Sequence, residues 1–146
     1  MNKGFSFQIV MGFLLVLTNL ACQAQNPVNW TEKQLMQPAT LAATIKSNKD
    51  VPTIISIGPK AVIPGSIDNG MINDEDGLNK YKAIINKLTK DKKLVIYCGC
   101  CPFEHCPNVR PAIAYLKEKK FTNYYLLNIP KNIKTNWIDV GYPVAD

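Results

Sequence analysis

Three short apolar runs, each rich in β-branched or aromatic residues, limit what this chain can fold into: PTIISIG (52–58), KLVIYC (93–98) and TNYYLLNI (122–129). Each is the length of one buried strand, and a continuous apolar run suits a strand covered on both faces. The stretches between them carry the helical period. LNKYKAIINKLTK (78–90) sets Leu78, Tyr81, Ile85 and Leu88 on one face. After Asn108, Ile113 and Leu116 face the core, and Lys117, Lys119 and Lys120 favour the C-terminal end of a helix. Strands alternating with helices predict a single α/β domain with a mainly parallel sheet flanked by helices. A chain of 146 residues has room for one such core.

The rest of the chain fits around this frame. Thr31 and Gln34 have capping-box spacing, and Pro38 ends one short element and opens the next, so 29–48 reads as two helical pieces. Trp30 reads as a packing anchor or as a cover for a site loop. AVIPGSIDNG (61–70) reads as a loop across the sheet edge with Ile63 and Ile67 pointing inward, and the acidic NDEDG (73–77) as a solvated lead into a helix. Asn108 is placed as an N-cap, with Pro111 tolerated in the first turn. KNIKTNWIDVGYPV (131–144) reads as a short helix and a turn against the sheet. There is no internal repeat and no low-complexity segment.

The first residues have a different purpose. Lys3, the apolar run IVMGFLLVLTNLA (9–21) and the small residues after it have the layout of a secretory leader, and the run is shorter than the ~20 residues of a membrane span. Cleavage after Ala24 leaves a domain of 25–146, exported and soluble. The alternative is a lipoprotein signal ending at residue 21, with LAC (20–22) as a lipobox and Cys22 lipidated. The expected location is therefore outside the cytoplasm, periplasmic or membrane-anchored, with membrane contact only if Cys22 carries lipid. Net charge is +6, but the lysines are scattered and no aromatic residues interleave with them, so nucleic acid is not an expected partner.

Chemistry concentrates between the second of those strands and the helix after it. Four of the five cysteines, Cys98, Cys100, Cys101 and Cys106, fall in one loop together with the only histidine, His105, and the only arginine, Arg110. Beyond the cell membrane thiols tend to be oxidised. Four within nine residues are too crowded to staple distant parts of a fold, and suggest redox work, nucleophilic chemistry or metal binding. Cys98 and Cys101 have C-x-x-C spacing, used in disulfide exchange. Cys101 and Cys106 can also pair, and His105 can act as a base. The same thiolates and imidazole suit a soft metal such as Zn²⁺ or Cu⁺, but the clustering is atypical for zinc, and neither a metal site nor a cofactor is assigned. Cys98 ends what should be a central strand, and parallel sheets bind ligands beyond the carboxyl ends of their strands.

ISIGP, VIPGSI, LVIYC…NVRPAIAYL, KKFTNYYLLN and NWIDVGYPV occur in an order that resembles a rhodanese-like domain over about residues 30–144. The resemblance implies sulfur transfer. In that family the strand-end cysteine takes up a sulfane sulfur as a persulfide and hands it to a nucleophile, and the matching position is Cys98. Loop N–H groups, the start of the next helix and Arg110 would favour its thiolate, and Arg110 can also bind an anionic donor such as thiosulfate. Cys101 or Cys106 would resolve the persulfide or protect Cys98 as a disulfide. The implied partners are a small sulfur-containing donor and a thiol acceptor. The alternative is a non-catalytic module of the same fold that does dithiol redox work or binds a soft metal.

Overall fold

The computed structural model describes residues 30–146. The proposed leader, its cleavage point and Cys22 lie outside the described residues. Five strands form one sheet: β1 (Leu35–Met36), β2 (Thr53–Ser56), β3 (Ile67–Asp68), β4 (Leu94–Tyr97) and β5 (Tyr124–Leu127). Their order across the sheet is β1-β5-β4-β2-β3, and every pairing is parallel. Three helices flank it: α1 (Pro38–Ser47), α2 (Glu75–Ile85) and α3 (Val109–Glu118). The single α/β domain expected from the alternating pattern is therefore present, and β4 is its middle strand.

Alternate residues of each strand feed opposite faces, as the two-residue period requires. Leu94 and Ile96 join Tyr81, Ile85, Val109, Ile113 and Leu116 on the side covered by α2 and α3. Val95 and Tyr97 join Leu41, Ala42, Ile54, Leu127 and Trp137 on the other side, covered by α1 and the C-terminal segment. Because both faces are covered, β4 is buried along its whole length. Asp74 caps α2 by accepting from the Gly77 N–H at 2.8 Å, and Pro38 opens α1 where its missing N–H costs nothing. The C-terminal helix is one five-residue π turn, Lys134–Ile138, which buries Trp137 and ties its indole N–H to the Pro143 carbonyl at 2.6 Å.

Three local expectations change. The stretch before Pro38 is a single 3-10 turn, Glu32–Gln34, followed by β1, which pairs with β5. The Thr31–Gln34 capping box is present, but a two-residue strand is too short to show a period. Ile63 is buried as expected, whereas Ile67 is 38% exposed, because residues 67–68 form the edge strand β3 instead of continuing the loop. The crossing segment is held from beneath by β4: the Tyr97 hydroxyl accepts from the Val62 N–H at 2.9 Å and the Ile63 N–H at 3.2 Å. Asn108 precedes α3 but has helical backbone angles and makes no side-chain cap bond. Its amide is engaged elsewhere.

Candidate functional site: a cysteine cluster at the end of the middle strand

Cys98 follows directly on β4, so its sulfur stands at the carboxyl edge of the sheet. Strand pairing runs one step beyond β2, with the Ile57 N–H donating to the Tyr97 carbonyl at 2.9 Å. The two chains then pass so closely that a Cβ on Gly58 would lie 1.9 Å from the Cys98 carbonyl oxygen. Only glycine fits there, and that close approach fixes the backbone of Cys98. Gly99 adopts φ +83°, a conformation that side chains rarely take, and turns the chain so that Cys98 and Cys100 point the same way. Its carbonyl accepts from the Ile133 N–H at 2.8 Å, which ties the loop to the C-terminal segment.

The loop then makes a 3-10 turn, Phe103–His105, and returns to α3. Phe103 is buried against Trp30, ring edge to face with centroids 5.6 Å apart. Trp30 thus does both things its sequence context allowed: it packs in the core and it braces the loop. Arg110 lies over the other part of this assembly. Its guanidinium is 5.7 Å from the Trp30 ring centre and donates to the Glu104 carbonyl at 2.7 Å. Arg110 therefore fastens the outer limb of the loop to α3.

Three sulfurs converge. The Sγ atoms of Cys98, Cys100 and Cys106 all lie within 4.8 Å of one another. Cys98 and Cys100 are 3.2 Å apart, and Cys101 stands 3.4 Å from Cys100 and hydrogen-bonds Cys106. Cys98 and Cys106 are buried, Cys100 is exposed and Cys101 is intermediate. All four are free thiols. His105 sits between Glu104 and Cys106 in the chain but is exposed and outside the converging group.

Asn108 sits beneath the sulfurs. It is buried, its Oδ1 accepts from the Ile72 N–H at 2.8 Å, and its Nδ2 points at Cys98 Sγ at 3.5 Å and Cys106 Sγ at 3.8 Å. The residue read as a helix cap is instead a bridge between the thiols and the segment before α2. A buried asparagine beside a cysteine loop has no distinguishing pattern in sequence, so this role was not legible there.

The electrostatics favour one thiolate, and it is Cys106. A hydrogen bond from the Cys98 thiol, with further N–H donation from the Asn108 and Val109 backbone at the start of α3, holds Cys106 down at about 5 against the penalty of burial. Cys98 is pushed up, first because it is the donor to Cys106 and then by burial. Burial and the neighbouring thiols push Cys101 up to about 12. The helix start was expected to favour a thiolate on Cys98, but its N–H groups reach Cys106.

This arrangement defines a class: a rhodanese-like fold with a multi-thiol loop at the carboxyl edge of its sheet. One similar solved structure is the solution NMR structure of the rhodanese-like domain of an Anabaena sp. protein, to which the chain is similar at a TM-score of 0.53 and 14% identity over 77% of this chain and 78% of that one. At that identity the likeness is one of fold. No protein-family model matches the sequence, and no curated protein matches it significantly.

Proposed function

We propose that this chain is an exported thiol enzyme that transfers sulfane sulfur, with Cys98 carrying it as a persulfide. The observation that carries the reading is the position of Cys98, immediately after the middle strand of a rhodanese-like sheet and within reach of further thiols. The Cys98 sulfur attacks the outer sulfur of a donor such as thiosulfate. The donor S–S bond breaks, and sulfite leaves with its electron pair. The proton that Cys98 held passes to Cys106, its hydrogen-bond partner. An acceptor thiol, or cyanide, then attacks the outer sulfur of the persulfide, and Cys98 departs as a thiolate. Asn108 steadies both sulfurs, and Arg110 acts as a positioning residue by holding the loop. Cys101, half-buried beside Cys100 and Cys106, and the exposed His105 would serve in redox protection or acceptor contact.

Thiosulfate-to-cyanide transfer by the reduced chain tests this. Cys98→Ser is expected to abolish transfer, Cys106→Ser to slow it, and Cys101→Ser to leave most of it. An active Cys98→Ser variant, or a wild type inactive with every sulfane donor, would refute the assignment. The export part of the proposal rests on the leader pattern in residues 1–24. N-terminal sequencing of protein from fractionated cells tests it: a start near Gln25 or a diacylated Cys22 supports export, and an intact Met1 in the cytoplasm rejects it.

A further inference from the structure

We propose that Cys98, Cys100 and Cys106 form a three-coordinate thiolate site for a single cuprous ion. The site is independent of sulfur transfer, although it draws on Cys98. The argument starts from distance. Metal–sulfur bonds of about 2.3 Å put the sulfurs of a planar three-coordinate site roughly 4 Å apart. The three Sγ atoms already fall within 4.8 Å of one another, with Cys98 and Cys100 at 3.2 Å. Closing on an ion needs side-chain shifts of under an ångström or so and no change in the fold.

The backbone holds the ligands in this geometry. Gly58 packs against the carbonyl of Cys98. Gly99 turns at φ +83°, and a Cβ there would sit 2.9 Å from Cβ of Ile133, so the turn between the first two ligands is fitted to its surroundings. Cys106 is fully buried at the start of α3. Asn108 contacts two of the three sulfurs and is itself anchored by Ile72. This is the kind of outer support that orients metal ligands. Cys100 is exposed and gives the ion a way in, while the other two sulfurs exclude water from behind.

The donor set selects the ion. Soft thiolates select Cu(I), zinc and iron–sulfur clusters, and of these a lone Cu(I) is the one that three sulfurs suffice to hold. A structural zinc site closes with four ligands. Among the described residues, no histidine, carboxylate or fourth sulfur joins the converging group. Cys101 is the nearest addition: half-buried, 3.4 Å from Cys100 and hydrogen-bonded to Cys106, it borders two of the ligands, but its sulfur does not lie within 4.8 Å of all three.

Anaerobic titration of the reduced full chain with Cu(I) as its acetonitrile complex tests this, read by sulfur-to-copper absorption, competition with a chromophoric cuprous chelator, and X-ray absorption at the copper edge. One equivalent bound in a three-sulfur shell is expected. Cys100→Ser should lower affinity by more than roughly a hundredfold, since even outer partners of a metal site are worth about ten- to a hundredfold. Cys106→Ser should do the same, and Cys101→Ser, which removes only an outer partner of Cys100 and Cys106, should lower affinity by no more than about ten- to a hundredfold. Cys100 is exposed, so its serine variant keeps the fold, which circular dichroism verifies. No binding, a two-sulfur shell, or equal losses from Cys101→Ser and Cys100→Ser would overturn the assignment. So would preferential uptake of Zn²⁺ in a four-sulfur shell. A chain that transfers sulfur but binds no copper removes this inference alone, and one that binds copper without transferring sulfur removes the proposed function alone.

Discussion

Replacing Asn108 with alanine is the sharpest test of how this site is built. The side chain does two things at once. Its Oδ1 satisfies the buried Ile72 N–H at 2.8 Å, and its Nδ2 faces the sulfurs of Cys98 and Cys106. Removing the acceptor leaves a buried backbone donor unpaired, which costs about 1–3 kcal/mol, and losing the donor to a thiolate adds roughly another 1 kcal/mol. The expected loss is about 3 kcal/mol. With a urea slope of roughly 1.5 kcal/mol/M for a domain of this size, the unfolding midpoint should fall by about 2 M. Asn108→Asp separates the two roles. It keeps an acceptor for Ile72 but replaces the donor with a carboxylate, so Cys98 and Cys106 should alkylate more slowly than in the wild type. The assays are urea unfolding of the reduced chain followed by fluorescence, and iodoacetamide labelling read by mass. If Asn108→Ala unfolds within 0.5 kcal/mol of the wild type, roughly the effect of a neutral surface change, the bridge is not what holds these elements together.

Other outcomes follow from the same geometry. Gly58→Ala would drive a methyl group into the Cys98 carbonyl, with backbone on both sides, and should destabilise by about 3 kcal/mol or more; wild-type stability in this variant would disprove the close packing at the strand end. Trp30→Ala removes the ring that braces Phe103 and Arg110, and should cost about 3 kcal/mol while speeding amide hydrogen exchange across residues 99–106; unchanged exchange there would show that the loop holds itself. In the reduced, metal-free chain, labelling of the cluster should follow a thiolate that forms near pH 5, and a single step near the ordinary thiol value of about 8.5 would contradict the Cys106 environment. Because the folded Cys106 releases its proton below the value of the unfolded chain, its contribution to stability grows as pH rises from about 5 toward 8.5 and is gone below about 5.

The fold was legible because strong local signals agreed with the tertiary solution. The runs that became β2, β4 and β5 are continuous and apolar, and the faces of α2 and α3 carry a clear helical stripe. Where the signal was short, the reading failed. Leu35–Met36 and Ile67–Asp68 are two-residue strands, defined by the neighbours they pair with and not by any pattern of their own. The site was half legible. Crowded cysteines after a central strand marked the place, and the family resemblance singled out Cys98. Which sulfurs meet was not written there, because His105 and Cys106 are adjacent in sequence yet one is exposed and the other buried. Asn108 satisfied the grammar of a helix cap, but its backbone is already helical and Pro111, at the third helical position, has no N–H to bond, so the amide turns to Ile72 and the thiols.

The tie between Gly99 and Ile133 bears on modularity. The loop's first turn is shaped by a contact with a residue 34 positions later, through a 2.8 Å hydrogen bond and a tight fit of Ile133 over the glycine. The cysteine motif is therefore not a portable cassette. Copied as residues 98–108 into another scaffold, it would carry the thiols without the partner that sets their spacing. A transplant that works should have to bring the segment around residue 133 with it.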